Sequence, residues 1–279
     1  MRPTSDPIKL NLSTLCHYAL LLLLTAVAVM PLVWALLASL RPLDQVYQVP
    51  PRWGLDRPQW ANYGLATAKL PLLRFIANSL LISVSSVVGA VLTSSMAGYA
   101  FARLNWRGKR FWFIVLLASL VVPTQVLLIP RFLIFEALGW VGSYKPLIVP
   151  AWLGGGAFNV LLFRQFFLTV PRSYEQAALL DGATPWQIYR WIMLPLSMPV
   201  VITAALLSFV YHWQEFLDPL IYLSDFRTYP VSLGLRMFQS MAGTWGNLLM
   251  AASILALIPV ALLFVVFSRH LGRAVRVGT

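Results

Sequence analysis

The chain has few of the residues from which active centres are usually built. Its single cysteine, Cys16, excludes an intrachain disulfide and gives redox chemistry no partner thiol. The one Gly-Lys pair, Gly108-Lys109, is followed by arginine rather than serine or threonine, so the chain has no phosphate-binding P-loop. No serine, histidine and acid arrangement can be assembled, and an intrinsic enzyme activity is not expected. The histidines are far apart and lack the spacing of metal ligands: His17, His212 and His270.

Charged residues are also scarce. They make up 11% of the 279 residues, against 59% hydrophobic residues, and the mean hydropathy is +0.75. A soluble core cannot bury so large an apolar share, which indicates a membrane protein. The net charge is +12, but the 21 lysines and arginines are scattered between apolar runs and form no continuous basic face for nucleic acid. Membrane topology accounts for them better.

Six apolar segments approach or exceed the roughly 20 residues that a helix needs to cross the hydrocarbon layer. The first is too long for a secretion signal and is not followed by a cleavage site, so it is expected to remain as a helix. The fourth contains three consecutive glycines, which blur its boundaries. Prolines 31, 123 and 130 are expected to bend or end their helices. The segments lie near residues 15–40, 75–101, 111–129, 146–163, 195–217 and 248–267.

Short basic loops prefer the cytoplasm and therefore predict the orientation. One basic cluster lies at residues 103–110, between the second and third segments, and another at residues 269–276, after the sixth. With six spans both clusters lie on the same side. We therefore expect both termini and residues 163–195 in the cytoplasm, and residues 41–74 on the outer side.

The second segment carries two neighbouring stripes of small side chains. Small residues at every fourth position let helices approach closely in lipid, where dispersion and interhelical hydrogen bonds drive association. This segment is therefore expected at the centre of a helix bundle, packed tightly rather than lining a pore. The stripes are Ser86, Ala90, Ser94 and Gly98, and Ser85, Gly89, Thr93 and Ala97.

A polar segment, residues 172–195, lies between the fourth and fifth apolar segments; we call it the elbow. Ser173, with Gln176 three residues later, has the capping-box pattern, which predicts a helix beginning near Tyr174. Gly182 then provides a left-handed stop. The run 184–187, Thr-Pro-Trp-Gln, repeats the start signal and predicts a second helix from residue 185 toward residue 194.

The surface of the elbow suits a partner's groove. Ala177 and Ala178 leave a low-relief patch on the first helix. Asp181 lies at the negative C-terminal end of that helix's dipole, so its carboxylate is expected to bond the turn or the start of the next helix. An ordinary amphipathic connector lying on the membrane is the alternative interpretation.

The elbow resembles the EAA motif of permease subunits of ATP-binding-cassette (ABC) importers. That motif reads Glu-Ala-Ala, two residues, Asp-Gly-Ala, and later Leu-Pro. Gln176 stands where the motif usually has glutamate, and Glu175 directly precedes it. The matching residues are Ala177, Ala178, Asp181, Gly182, Ala183, Leu194 and Pro195.

The resemblance extends over nearly the whole chain and points to the carbohydrate-uptake branch, particularly the second permease of maltose-type systems. Four further blocks resemble sequences of that branch: residues 97–103, 162–167, 213–220 and 229–233. Residues 267–272 are similar to the family tail, although the usual Gly-Ala-Val-Lys-Gly ending is absent.

The resemblance implies an all-α, six-helix bundle of the type I importer permease kind, one domain over residues 1–279, in the bacterial cytoplasmic membrane. It implies two nucleotide-binding ATPase subunits that hold ATP and magnesium, a second permease, and an extracytoplasmic solute-binding protein. It also implies transport by alternating access and no cofactor bound to this chain. The residues implied to contact the ATPases are Glu175, Gln176, Ala177, Ala178, Asp181, Gly182 and Ala183.

Polar residues near the outer end of the fifth segment are candidates for the solute path, but they are also consistent with an exposed helix end. Trp213 suits stacking on a sugar ring, although interfacial anchoring is the commoner role of tryptophan. The candidates are Trp213, Gln214 and Glu215, with His212 and Asp218 nearby.

Two alternatives remain open. The same machinery can import a non-carbohydrate solute, such as a phosphodiester or a polyamine. A stand-alone secondary transporter is the other, but the sequence shows neither the internal repeats nor the mid-membrane ionisable residues typical of that class.

Overall fold

The computed structural model describes residues 12–51, 53–55, 57–240 and 243–276. Across these residues the regular secondary structure is helical apart from one short antiparallel hairpin, which confirms the predicted all-α class. The chain forms two compact units. One comprises the residues up to Lys69 together with Phe238–Leu255, and the other comprises Leu70–Met237 together with the residues from Ala256 onward.

The first unit is held together by a buried amide at the end of its long helix. Asn62 is 2% exposed, and its Nδ2 donates hydrogen bonds to the carbonyls of Ser39 (2.9 Å) and Arg41 (2.8 Å). Ser39 is the last residue of that helix and Arg41 lies two residues beyond it, where carbonyls lack partners within the helix. Its elements are α1 (Leu12–Ser39), α2 (Leu43–Val46), α3 (Ala61–Lys69) and a hairpin of β1 (Gln239–Ser240) with β2 (Gly243–Thr244).

The second unit contains most of the remaining helices. They are α4 (Leu72–Arg103), α5 (Lys109–Val121), α6 (Leu128–Ala137), α7 (Lys145–Trp152), α8 (Ala157–Thr169), α9 (Ser173–Leu180), α10 (Pro185–Ile188), α11 (Leu194–Leu196), α12 (Met198–Gln214), α13 (Leu217–Tyr222) and α14 (Val231–Arg236). A π-helical stretch, Tyr189–Met193, joins α10 to α11, and α15 (Gly246–Arg276) begins in the first unit and ends in the second.

Helix α4 is the centre of the second unit, where α7, α8 and α12 pack against it. The packing is close because the α4 side chains are small. A Cβ added at Gly98 would lie 2.6 Å from the Cβ of Phe163, and one at Gly89 would meet the Trp152 indole ring. The Trp152 Nε1 also donates to the Ser85 carbonyl at 3.1 Å. The predicted role of the small-residue stripes in tight packing is therefore confirmed.

Four helices are long and apolar enough to cross a membrane, among the described residues: Ser13–Ser39, Leu72–Arg103, Lys145–Thr169 and Gly246–Phe267. A fifth span exists if Pro185–Leu196 and Met198–Gln214, bent by 76° at their junction, are counted together. The predicted third span at 111–129 overlaps α5, which begins at Lys109, ends at Val121 and has only 13 residues. The exact count of six spans is thus not confirmed.

The helix breaks follow the proline and glycine positions in part. Helix α5 ends at Val121, and Val122 is extended, as expected of the residue before Pro123. Pro130 lies in the first turn of α6, where a missing amide hydrogen is tolerated, and Pro31 lies inside α1 without ending it. The glycines at 154–156 all have positive φ and separate α7 from α8.

Candidate functional site

The elbow consists of two helices joined at a left-handed glycine. Helix α9 ends at Leu180, and Gly182 has φ +81°, as predicted. The predicted capping box at Thr184 is present: its Oγ1 accepts from the Gln187 amide at 3.4 Å, and its own amide donates to the Gln187 Oε1 at 2.7 Å. The second helix runs from Pro185 to Leu196 and includes the π-helical stretch.

Two finer predictions for the elbow are wrong. Ser173 and Gln176 form no capping box, because Arg172 already has helical dihedrals and acts as the N-cap without a side-chain bond. Ser173 is then inside the helix, whereas a capping side chain needs the non-helical backbone of the preceding position. Asp181 is exposed, and among the described residues its carboxylate accepts no hydrogen bond from the turn or the next helix.

Arg103 binds the elbow to the bundle. Its Nε donates to the Phe167 carbonyl at 2.9 Å, and its Nη2 donates to the carbonyls of Phe167 and Val170. These carbonyls belong to the C-terminal end of α8, where a cation satisfies unpaired acceptors and complements the helix dipole. The Arg103 side chain is only 4% exposed. One buried guanidinium therefore joins the ends of α4 and α8.

The same guanidinium contacts the first turn of α9. The Nη1 of Arg103 lies 3.5 Å from the Oε2 of Glu175, whose side chain is 15% exposed. The other carboxylate oxygen of Glu175 is buried and accepts no hydrogen bond. The motif position itself, Gln176, is exposed. The acidic residue that pairs with the bundle in this chain is therefore the one before the usual motif glutamate.

The two alanines of the motif differ in exposure. Ala177 is exposed, whereas Ala178 is 9% exposed and lies in a cluster with Tyr99, Phe167 and Ile188. This corrects the predicted low-relief patch, because only Ala177 is available to a partner. The smallness of Ala178 instead lets α9 lie close to its own bundle.

The second elbow helix is attached through its π-helical stretch. Tyr189 and Met193 are buried in the same cluster as Ala178. The Tyr189 and Ser95 hydroxyl groups lie 2.7 Å apart, which links the elbow to the C-terminal half of α4. Both halves of the elbow are thus packed onto α4 and α8. A displacement of the elbow would therefore be transmitted directly to those two helices.

Two leucines on the outer side of α9 were not identified from the sequence. Leu179 is 55% exposed and Leu180 is 89% exposed, next to exposed Asp181 and Gly182. Large apolar side chains so exposed on a polar segment are typical of contact surfaces. Their place on a predicted surface helix could have indicated them, since one face of α9 must point away from the bundle.

A cavity of about 670 Å³ lies in the second unit. Its polar lining includes Asn159, His212 and Glu215, and an ion pair in which the Arg131 Nη2 donates to the Asp218 Oδ2 at 2.6 Å. Burial opposes the charge of Arg131, but the hydrogen bond to Asp218 and its negative charge outweigh burial and raise the arginine pKa above its ordinary value. Arg131 therefore remains positively charged in the cavity wall.

The three residues predicted for the solute path are in different environments. Glu215 lines the cavity, and its Oε1 accepts hydrogen bonds from the backbone amides of Leu217 (3.0 Å) and Asp218 (3.3 Å). Trp213 is 6% exposed and stacks on Phe209 with ring centroids 5.4 Å apart. Gln214 is exposed and does not line the cavity. The cavity brings in Asn159 and Arg131, which the sequence did not indicate.

No group of three or more histidine, cysteine, aspartate or glutamate side chains that could hold a metal ion occurs in the part of the chain that the structure describes.

Comparison with known proteins gives a consistent picture. The family model described as a binding-protein-dependent transport system inner membrane component matches residues 89–277. The chain is 33% identical to the arabinooligosaccharides transport system permease protein AraQ of Halalkalibacterium halodurans, over 90% of this chain and 91% of that protein. It is 32% identical to the sulfoquinovosyl glycerol transport system permease protein SmoH of Agrobacterium fabrum, over 89% and 87%.

A third relative extends the match to the full length. The maltose/maltodextrin transport system permease protein MalG of Salmonella typhimurium is 29% identical, over 100% of this chain and 98% of that protein. Among solved structures, a chain of a bacterial ABC transporter involved in the import of the acidic polysaccharide alginate superposes with a TM-score of 0.81, at 20% identity, over 95% of this chain and 98% of that one. This structural likeness supports the fold.

Proposed function

Because the chain belongs to the family of binding-protein-dependent transport system inner membrane components, we propose that it is the transmembrane subunit of an ATP-driven importer of a sugar or oligosaccharide. Residues 1–279 act as one permease domain that crosses the bacterial cytoplasmic membrane several times, with both termini in the cytoplasm. The carbohydrate assignment is supported by the names of three relatives, which refer to arabinooligosaccharides, sulfoquinovosyl glycerol and maltodextrin.

The elbow transmits movement from two ATPase subunits, which bind ATP and magnesium, to the bundle. The single observation that carries this proposal is the attachment of the elbow by Arg103, which contacts both α8 and Glu175 at once. When the groove of an ATPase subunit moves α9, the movement is transmitted to the bundle through the Arg103–Glu175 ion pair and the buried Ala178. Alternating access follows when the second permease moves in the same way.

The outer face of the elbow contacts the ATPase. Leu180 is the most exposed large apolar side chain of α9, and Ala177 lies on the exposed part of the same helix. Burial of one leucine side chain contributes about 1.5–3 kcal/mol. Gly182 sets the angle between the two helices and leaves Asp181 and Ala183 beside the contact.

We place the solute path along the cavity lined by Glu215 and Asn159. Carboxylate and amide side chains form the directional hydrogen bonds that sugar hydroxyls need, and the mainly apolar remainder of the wall suits the faces of sugar rings. In this arrangement Trp213 contributes through its stacking on Phe209, next to Gln214 and Glu215 in the chain.

Copurification tests the subunit proposal. The tagged full-length chain is expressed with the rest of its operon, and we expect two ATPase subunits and a second permease to copurify. Leu180→Asp should reduce ATPase recovery without lowering the melting temperature of the chain. Leu138→Asp, at an exposed leucine outside the elbow, provides a matched control with the same chemical change. Transport of solute by the chain alone in liposomes would contradict the proposal.

A further inference from the structure

An apolar groove of about 460 Å³ lies between the C-terminal half of α4 and the beginning of α5. Its lining includes Ala97 and Ala100 of α4 and the rings of Phe101, Trp106 and Trp112. Trp106 and Trp112 are 38% and 55% exposed. Tryptophan is enriched where protein surfaces meet lipid headgroups, and two partly exposed tryptophans line this groove.

A cluster of cations adjoins this groove. Lys109 begins α5, and its pKa lies below the ordinary value because of burial and because Arg164 and Arg172 are near enough to repel a third positive charge. Arg107 and Arg110 flank Lys109 in sequence and are exposed. None of these side chains forms an ion pair with a carboxylate among the described residues. The cluster therefore lacks an anion.

The groove and the cluster are connected by one pair of aromatic rings. Phe101 lines the groove and lies 5.7 Å from Phe113, centroid to centroid. The guanidinium of Arg164 lies over the Phe113 ring at 4.2 Å, and its Nε is buried without a hydrogen-bond partner. The Phe113 ring thus lies between the Arg164 guanidinium and Phe101 of the groove.

We propose that this surface binds one anionic phospholipid, with an acyl chain in the groove and the phosphate against Lys109, Arg164 and Arg172. A soluble anion would use only the cations, and a neutral lipid would use only the groove. The two features occur side by side, and the paired arrangement matches a molecule that carries both a negative phosphate and a hydrocarbon chain. The bound lipid lies in the leaflet that adjoins the elbow, since Arg172 directly precedes α9.

Native mass spectrometry of the purified full-length chain tests the proposal. The chain is titrated with phosphatidylglycerol or with phosphatidylcholine of the same acyl composition. We expect tighter retention of one phosphatidylglycerol, and a loss of about fivefold in that preference for each cation removed among Lys109→Gln, Arg164→Gln and Arg172→Gln. The matched control removes exposed cations from the other end of the second unit: Arg74→Gln, Lys145→Gln and Arg227→Gln.

A second variant tests the groove separately. Ala100→Phe fills the groove without changing the charge and should weaken retention of both lipids, whereas the triple-charge variant should affect only phosphatidylglycerol. Should the triple-charge variant fail to fold, added sodium chloride replaces it, because salt must lower the phosphatidylglycerol preference of the wild-type chain.

Three results would overturn the lipid site. The first is equal retention of the two lipids, and the second is an equal loss of preference in the control triple variant. The third is unchanged lipid retention together with loss of a copurifying protein in the Lys109, Arg164 and Arg172 variant, which would identify a protein interface instead.

Discussion

Arg103 and Glu175 form an ion pair between the last turn of α4 and the first turn of α9, with Nη1 and Oε2 3.5 Å apart. The arginine is already engaged by two carbonyls at the end of α8, so it keeps its position when the carboxylate moves. The partner of the ion pair is the acid directly before the usual motif position. The elbow can therefore be loosened from the bundle by a single change at Glu175, while the arginine stays in place.

Glu175→Gln should lower the stability of the elbow and reduce coupling. It leaves the guanidinium with neutral acceptors only, and we expect the free energy of unfolding to fall by about 1–3 kcal/mol, since the pair is long and the carboxylate is partly exposed. Denaturant titration of the purified chain and solute-stimulated ATPase activity of the assembled complex are the measurements. Gln176→Glu, at the neighbouring exposed position, should leave stability unchanged. Identical behaviour of the two variants would remove the proposed role of the ion pair.

The two alanines of the elbow should respond differently to the same substitution. Ala178→Leu adds volume to a buried cluster and should destabilise the chain by about 1–3 kcal/mol. Ala177→Leu adds the same volume to an exposed face. It should leave the stability of the isolated chain unchanged and alter its affinity for the ATPase subunits. Thermal unfolding and copurification separate the two effects. Equal melting temperatures for both variants would show that Ala178 is not buried as described.

Gly182 should tolerate no other residue without a cost in conformational energy. Its φ is +81°, and an added Cβ meets no atom within 4 Å, so the cost is backbone strain alone. We expect Gly182→Ala to cost about 1–2 kcal/mol and Gly182→Asn to cost less. Gly182→Pro should uncouple ATP hydrolysis from transport while the chain still inserts, because the ring holds φ near about −65°.

The control for Gly182 is Gly64→Ala in α3, where a Cβ also meets no atom within 4 Å but φ is not positive. This change should be neutral or slightly stabilising, because alanine favours helix. Uptake of radiolabelled solute in proteoliposomes measures the effect. Normal coupling of ATP hydrolysis to transport in Gly182→Pro would contradict the mechanical role of this turn.

Gly155 and Gly156 provide a matched pair for the packing of α4. Both have positive φ, at +68° and +84°, but only a Cβ at Gly155 would clash, lying 2.8 Å from the Cβ of Ser94. Gly156→Ala should therefore cost about 1–2 kcal/mol from strain, and Gly155→Ala should cost about 2–5 kcal/mol because overpacking is added. Denaturation of the purified variants in mixed micelles compares them. A larger loss in Gly156→Ala would contradict the described contact between α4 and the glycine turn.

The elbow shows where sequence reasoning succeeded. The left-handed turn at Gly182 and the capping box at Thr184 depend on residues within four positions of each other, so local propensity decides them. The predicted capping box at Ser173 is absent because the helical backbone already begins at Arg172, one residue earlier. Small energy differences decide where a helix begins and ends. The tight packing of α4 was also predictable, since small side chains at a regular spacing admit close neighbours whichever helices those are.

The long-range contacts could not be predicted from the sequence. Arg103 and Glu175 are separated by the four helices α5 to α8, and the basic cluster of residues 103–110 suggested only a cytoplasmic loop. Likewise, Trp213 and Gln214 were equivalent candidates beside Glu215 until the rotation of α12 buried one ring and exposed the amide. Helix rotation depends on every neighbour at once.

Composition and local pattern were sufficient for the membrane class, the helical fold and the two-helix elbow, because apolar length and turn-forming residues act over a few turns of chain. The tertiary structure alone decided which alanine faces inward, which acid pairs with Arg103, and that cations from α5 and α8 gather beside one apolar groove. Those facts depend on how distant helices are rotated and brought together, and packing energies between segments far apart in sequence determine that arrangement.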